Sequence, residues 1–173
     1  MKFFTLFTLL ATFSINTFLS TNALAADINS KAPDFNLESI KNVSANKKIN
    51  LSELKGKVIY VDFWASWCGP CQRSFPKLEA LRNKYKDKGF EVVAINMDEN
   101  LKDANDFLTK FAVTFPIARD ASGKVAEQYN LKGMPSGYII DQKGVINYIS
   151  VGFDSKEEKA IEDIVSALTG LKS

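Results

Sequence analysis

Only two cysteines occur in the 173 residues, and they stand three positions apart as Cys68-Gly69-Pro70-Cys71. Two sulfurs at that spacing can carry out two-step thiol–disulfide exchange: one thiolate attacks a disulfide, and the other releases the mixed disulfide so formed. The flanking pattern says which attacks. Val58 to Trp64 reads as a strand, and from Pro70 to Lys88 the apolar positions Phe75, Leu78, Leu81 and Tyr85 recur at helical spacing, closed by Gly89. Cys68 therefore falls at a helix amino terminus, where unpaired N–H groups and the helix dipole favour an anion. A free thiol of pKa about 8.5 is only ~3% thiolate at pH 7. A pKa of about 7 makes roughly half of it thiolate, a change of about 2 kcal/mol that a helix end can largely provide. Cys71, one turn further in, is placed to resolve the bond made by Cys68. Gly69 allows the tight turn, and Pro70 sits where a missing N–H costs nothing.

Three other uses of the pair are open to the residues alone. A structural disulfide would close too short a loop to remove much chain entropy. A zinc site wants four ligands, and the chain has no histidine to add to two cysteines. Inert buried thiols sit poorly beside a turn. The absence of histidine also removes every mechanism built on an imidazole base. Neither a metal nor a cofactor is expected. With 22 Lys and Arg against 20 Asp and Glu, the formal charge of +2 gives no electrostatic footprint for nucleic acid.

Two further positions invite chemistry. Asp62 lies in the apolar run Val58-Ile59-Tyr60-Val61-Asp62-Phe63-Trp64. If it is mid-strand, burial raises its pKa and suits it to exchange a proton near neutrality; if it is at the strand end, it is a solvated carboxylate. The Met134-Pro135 bond stands between a helix and a strand, where a trans proline would merely end the helix.

The elements that must position these groups follow from periodicity. Val58–Trp64 is apolar on both parities, as in a central strand covered on both faces. Phe35-Asn36-Leu37 and Ile49-Asn50-Leu51 alternate, which predicts a short hairpin ahead of the main domain, after an extended entry through Pro33. Phe90 to Ile95 reads as a second strand. Leu101, Ala104, Leu108 and Phe111 mark a second helix, and Val125, Ala126 and Tyr129 a third. Tyr138-Ile139-Ile140 and Val145 to Val151 flank a turn at Asp141–Gly144, and Ser155-x-x-Glu158 reads as a capping box before a last helix. Pro76 should kink the first helix. The order predicts an α/β domain with helices on both faces of a sheet.

The amino terminus reads as an address. Phe3 to Ala26 carries no charge, and Ala23-Leu24-Ala25 is a small-x-small cleavage pattern. Cleavage after Ala25 removes 25 of the 173 residues and leaves a single domain over 26–173. The run is long enough to be an uncleaved membrane anchor instead, although nine of its residues are Thr, Ser or Asn. Export is expected, to a bacterial periplasm.

Val61-Asp62-Phe63-Trp64-Ala65-Ser66-Trp67-Cys68-Gly69-Pro70-Cys71 resembles thioredoxin. The longer pattern is similar to the exported thioredoxin-like (redoxin) family that includes TlpA and ResA. It runs through Ala32-Pro33-Asp34-Phe35, Leu51-Ser52-Glu53-Leu54-Lys55-Gly56-Lys57, Phe115-Pro116, Asp120-x-x-Gly123, Gly133-Met134-Pro135 and Ile139-Ile140-Asp141-x-x-Gly144. The resemblance implies a thioredoxin fold with an amino-terminal β-hairpin extension. It also implies an insertion, mapped to roughly 101–117, before the helix that precedes a cis Pro135. It implies that Pro135 faces the Cys68–Cys71 pair, that the Met134 backbone binds an extended client segment as an added strand, that Asp62 is the proton acceptor for Cys71, and that Trp67 flanks the nucleophile. Many relatives have Asn at the Asp62 position and Thr-Thr after the proline, where this chain has Ser136-Gly137; these departures bear on client preference. Some relatives that handle apocytochromes carry an acidic residue just beyond the second cysteine; this chain has Gln72, Arg73 and Ser74 there, so that role is not carried over.

The dipeptide between the cysteines is that of thioredoxin, near −270 mV, and lacks the histidine of DsbA, near −120 mV; the gap corresponds to roughly 7 kcal/mol for two electrons. Reduction of disulfides in client proteins is therefore expected, with a membrane thiol donor of the DsbD type implied by analogy and a monomer as the working form. The rivals are a thiol peroxidase, whose Pro-x-x-x-Thr motif is replaced here by a stretch holding Trp64 and Ala65, and a non-catalytic thiol-binding assembly factor.

Overall fold

The computed structural model describes residues 26–43 and 47–170. The expected export signal, residues 1–25, lies outside them. Seven strands, β1 (Asn36–Lys41), β2 (Lys48–Asn50), β3 (Val58–Trp64), β4 (Phe90–Asn96), β5 (Ile117–Arg119), β6 (Ser136–Ile140) and β7 (Ile146–Val151), form one sheet in the order β2-β1-β5-β4-β3-β6-β7. Four α-helices, α1 (Gly69–Tyr85), α2 (Leu101–Leu108), α3 (Lys124–Gln128) and α4 (Ser155–Leu168), cover it. Strands β3 and β4 are parallel and joined by α1, and β6 and β7 pair antiparallel beside them. This is the thioredoxin arrangement that the resemblance implies.

Every residue of β3 and β4 is buried, because helices lie on both sides. Val58, Tyr60 and Trp64 pack under α1, α2 and α4, while Ile59, Val61 and Phe63 pack with Val125, Ala126 and Tyr129 around α3. Under α1 the packing is aromatic: Trp64, Phe107, Phe111 and Phe115 surround Phe75 with ring centroids 4.9, 5.1, 5.7 and 5.5 Å from it. Such pairs add about 0.5–1.5 kcal/mol each beyond their buried area. They fix the first turns of α1 against the end of β3, where the cysteines lie. Pro76 stands inside α1 without ending it.

The expected amino-terminal hairpin forms, with Leu37 in register with Ile49, and it extends the main sheet, since β1 also pairs antiparallel with β5, which pairs parallel with β4. Strand β5, at the end of the expected insertion, has three residues, too few for periodicity to reveal. The cap of α4 is Asp154 rather than Ser155; its carboxylate accepts the N–H groups of Lys156 and Glu157 at 2.8 and 2.9 Å. A charged acceptor at the positive end of the helix dipole wins the position. Asp154→Ala is expected to cost about 1 kcal/mol in chemical denaturation, and Ser155→Ala close to nothing. Helix α2 stops at Leu108, so Phe111 packs on Phe75 and Phe107 from the following loop.

Candidate functional site

Strand β3 ends at Trp64, a turn over Ala65–Trp67 follows, and Cys68 is the N-cap of α1. Its sulfur accepts the N–H of Cys71 at 3.2 Å, one of the donors a helix start leaves unpaired. Cys68 and Cys71 are joined as a disulfide, with Cα atoms 5.3 Å apart. Cys71 is fully enclosed, whereas Cys68 keeps 4% of its surface exposed. Of the two residues, only Cys68 keeps any surface open to a second molecule. Pro70 occupies the first turn of α1, as its missing N–H predicts, and Gly69 opens the helix.

Asp62 is mid-strand and 0% exposed. Neither carboxylate oxygen finds a hydrogen-bond partner. Burial alone pushes its carboxyl well above the ordinary carboxylate range. Its register partners are Ala94 on β4 and Gly137 on β6, neither of which carries a charge. Alternation along β3 puts Asp62 on the face of Tyr60 and Trp64, the face that α1 covers with Cys71. Among the described residues, Trp64 Nε1 is the other buried side-chain polar atom without a partner.

The Met134-Pro135 peptide bond is cis. Ser136 is in register with Phe63, so Pro135 arrives beside the end of β3, where the cysteine turn begins. Met134 packs against the core cluster that contains both cysteines. The proline carbonyl accepts the N–H of Gly152 at 2.8 Å, which ties it to the end of β7. Around this end of the sheet two apolar side chains stand open to solvent, Trp67 at 70% and Val151 at 57%. All eight residues expected to serve the site thus lie at or just below the same end of β3 and β6.

Sequence reasoning missed the residues that brace the turn. Asp98 accepts from the Ser66 N–H at 3.1 and 3.0 Å and from its hydroxyl at 2.9 Å, while Asn96 Nδ2 donates to Asp98 at 2.7 Å. Parallel strands end side by side, so polar residues at and just beyond the end of β4 face the loop after β3; that signal was available in Asn96-Met97-Asp98. Val151 and Ser150 were also missed as members of the site's surroundings, and Gly137 stands out in the sequence only as a departure after Pro135. No group of three or more Cys, Asp or Glu side chains among the described residues is arranged to hold a metal ion.

Known proteins share this fold and much of this sequence. The chain is 34% identical to the thiol-disulfide oxidoreductase ResA of Geobacillus kaustophilus over 154 residues, 88% of this chain and 86% of that one. It is 39% identical to the thioredoxin-like protein YneN of Bacillus subtilis over 131 residues, 74% of each chain. A Chlorobium tepidum crystal structure assigned as a thiol:disulfide interchange protein, DsbE, superposes with a TM-score of 0.79 at 40% identity, covering 84% of this chain and all of that one. The sequence model of the Redoxin family matches residues 27–167, most of the chain, and with these relatives it shows that the chain belongs to the Redoxin family.

Proposed function

We propose that the chain is a thiol–disulfide oxidoreductase that reduces disulfides of client proteins through Cys68 and Cys71. The observation that carries the reading is the pair itself: a sulfur capping α1, its neighbour enclosed behind it, and a buried, unpaired carboxyl on the same face of the sheet. The helix start favours the Cys68 thiolate. That thiolate attacks a client disulfide, forming a Cys68–client bond and expelling one client thiolate. Cys71 then gives its proton to the Asp62 carboxylate, and its sulfur attacks Cys68. The Cys68–Cys71 bond forms, the second client thiolate leaves, and both client thiolates take up protons from solvent. The client gains two electrons and the pair loses two.

Trp67, Met134 and Val151 offer apolar contact for the client, with the backbone at Met134 as the edge to which an extended segment adds. A membrane dithiol donor of the DsbD type returns the electrons, the working form is a monomer, and residues 26–173 act as one thioredoxin-like domain exported to the periplasm by a signal over residues 1–25. Among the described residues no helix is long and apolar enough to cross a membrane.

Equilibration of the protein with glutathione buffers tests the direction of electron flow. The expected potential lies near the thioredoxin value of about −270 mV. A value near about −120 mV makes the protein an oxidant, and consumption of hydrogen peroxide with a thiol donor, without reduction of insulin, makes it a peroxidase.

A further inference from the structure

Asp62 must be ionised to accept a proton, yet its carboxylate has no partner where it stands. A donor stands close by on the same face. Tyr60 and Asp62 are two residues apart on β3, so their side chains share that face, and both are buried. Asp62 is in register with Gly137, and Gly137 with Ser150, so the three positions form one row across β3, β6 and β7. Register partners in antiparallel strands point to the same face with Cα atoms about 4.5–5.5 Å apart. Gly137 leaves the middle of the row without a side chain, and the Tyr60 ring reaches diagonally into that space. A Cβ built on residue 137 would lie 1.8 Å from the Tyr60 hydroxyl oxygen and 2.7 Å from Ser150 Oγ. The hydroxyl therefore occupies the Gly137 position of the row, beside Ser150 and one strand away from Asp62. It is 3.2 Å from Ser150 Oγ, which in turn donates to the Gly137 carbonyl at 3.4 Å.

We propose that Tyr60 is a positioning residue whose hydroxyl turns from Ser150 to the Asp62 carboxylate when that group ionises, holding the charge while Cys71 resolves the mixed disulfide. The inference rests on the reading of Asp62 as the proton acceptor. A carboxyl without other partners gives up no hydrogen bond by rotating toward β6, and a phenol hydroxyl rotates freely about its C–O bond. The other groups facing this pair do not replace the donor. Ala94 on β4 is uncharged and Cys71 on α1 is the proton source. Tyr148 on β7 donates at 2.9 Å to Glu157 on α4, a negative charge. Burial first, and the neighbouring Asp62 second, hold the Tyr60 phenol far above its ordinary range, so it stays a donor at every working pH.

A donor to the charged form lowers a carboxyl's pKa, so removing it delays ionisation to higher pH. The experiment measures the resolving step in single-turnover oxidation of the reduced protein by oxidised glutathione, followed by tryptophan fluorescence across the pH range. Tyr60→Phe is expected to move the midpoint of the rate profile up by about one pH unit, the worth of a hydrogen bond to a charged group, with the plateau retained. In an Asp62→Asn background Tyr60→Phe is expected to move nothing. Ser150→Ala frees the hydroxyl for Asp62 and is expected to move the midpoint down, which keeps the test decisive if Tyr60→Phe fails to fold. An unmoved midpoint in Tyr60→Phe or in Ser150→Ala, or an equal shift with and without Asp62, overturns the role of Tyr60 while leaving that of Asp62. If Asp62→Asn itself keeps the parent profile, the reading of Asp62 falls as well.

Discussion

Cys68→Ser is expected to abolish turnover of a protein disulfide, by on the order of a thousandfold or more, while Cys71→Ser retains the first step and stops there. The asymmetry follows from where the sulfurs sit. Cys68 is the N-cap of α1 and keeps an opening to solvent; Cys71 is sealed under the first turn and can reach only Cys68. A client caught by Cys68 in the Cys71→Ser protein has no second thiol to release it, so a covalent adduct accumulates. Reduction of insulin with dithiothreitol as electron source measures the loss, and non-reducing electrophoresis with mass spectrometry locates the trapped bond. An adduct in Cys68→Ser and none in Cys71→Ser would reverse the two roles. Full cellular activity in Cys68→Ser would make the protein a binding module that works without turnover.

Much of the fold could be read because burial on two faces leaves a plain trace. The apolar run Val58–Trp64 has no alternation, and β3, like β4, has a strand on each side and helices over both faces. Gly89 adopts the left-handed conformation that ends the helical segment, as its place after the last apolar position implies. The failures share a cause. Strand β5 exists because β4 and β1 offer it edges on both sides, a tertiary fact that Ile117-Ala118-Arg119 does not encode locally. The end of α2 and the cap of α4 were each misplaced, since several adjacent residues could serve and packing chooses among them.

At the site the same division holds. The spacing of Cys68 and Cys71 and the proline between them are local and legible. The placement of Asp62 needed β3 to be central rather than merely apolar, and the cis bond before Pro135 came from resemblance rather than from residue physics. Gly137 is the instructive case. As sequence it stood out only as a departure after Pro135 and suggested a change in client preference. In the fold it lies inside β6 with the hydroxyl of Tyr60 over it, so its missing side chain shapes the surroundings of Asp62 instead. No pattern in one chain joins residue 60 to residues 137 and 150; the strand register does.

Asp62 should also govern how stability varies with pH, in a sense opposite to most carboxylates. Burial holds its folded-state pKa well above the ordinary carboxylate value of about 3.9, so between that value and the folded pKa the native state holds a proton that the unfolded chain has lost. Stability from this group is complete below about pH 4 and falls as pH rises toward the folded pKa, with a slope that approaches one proton, about 1.4 kcal/mol per pH unit. Glu79 and Asp141 act in the other direction: against partial burial, hydrogen bonds from Thr114 and from the Val145 and Lys143 N–H groups hold them low, so their contribution is lost in acid. The difference between the parent and Asp62→Asn removes those terms. The amide matches the neutral acid in shape, so the two oxidised proteins should be close in stability at pH 4 and diverge steadily above it, with Asp62→Asn the more stable. Urea denaturation at several pH values between 4 and 8 gives the comparison, and a difference that stays constant across that range would mean that Asp62 ionises as freely in the fold as out of it. A divergence means that the fold tolerates a destabilising carboxyl at neutral pH. A carboxyl that solvent or a cation kept ionised would be harmless to stability and too weak a base to take the proton from Cys71.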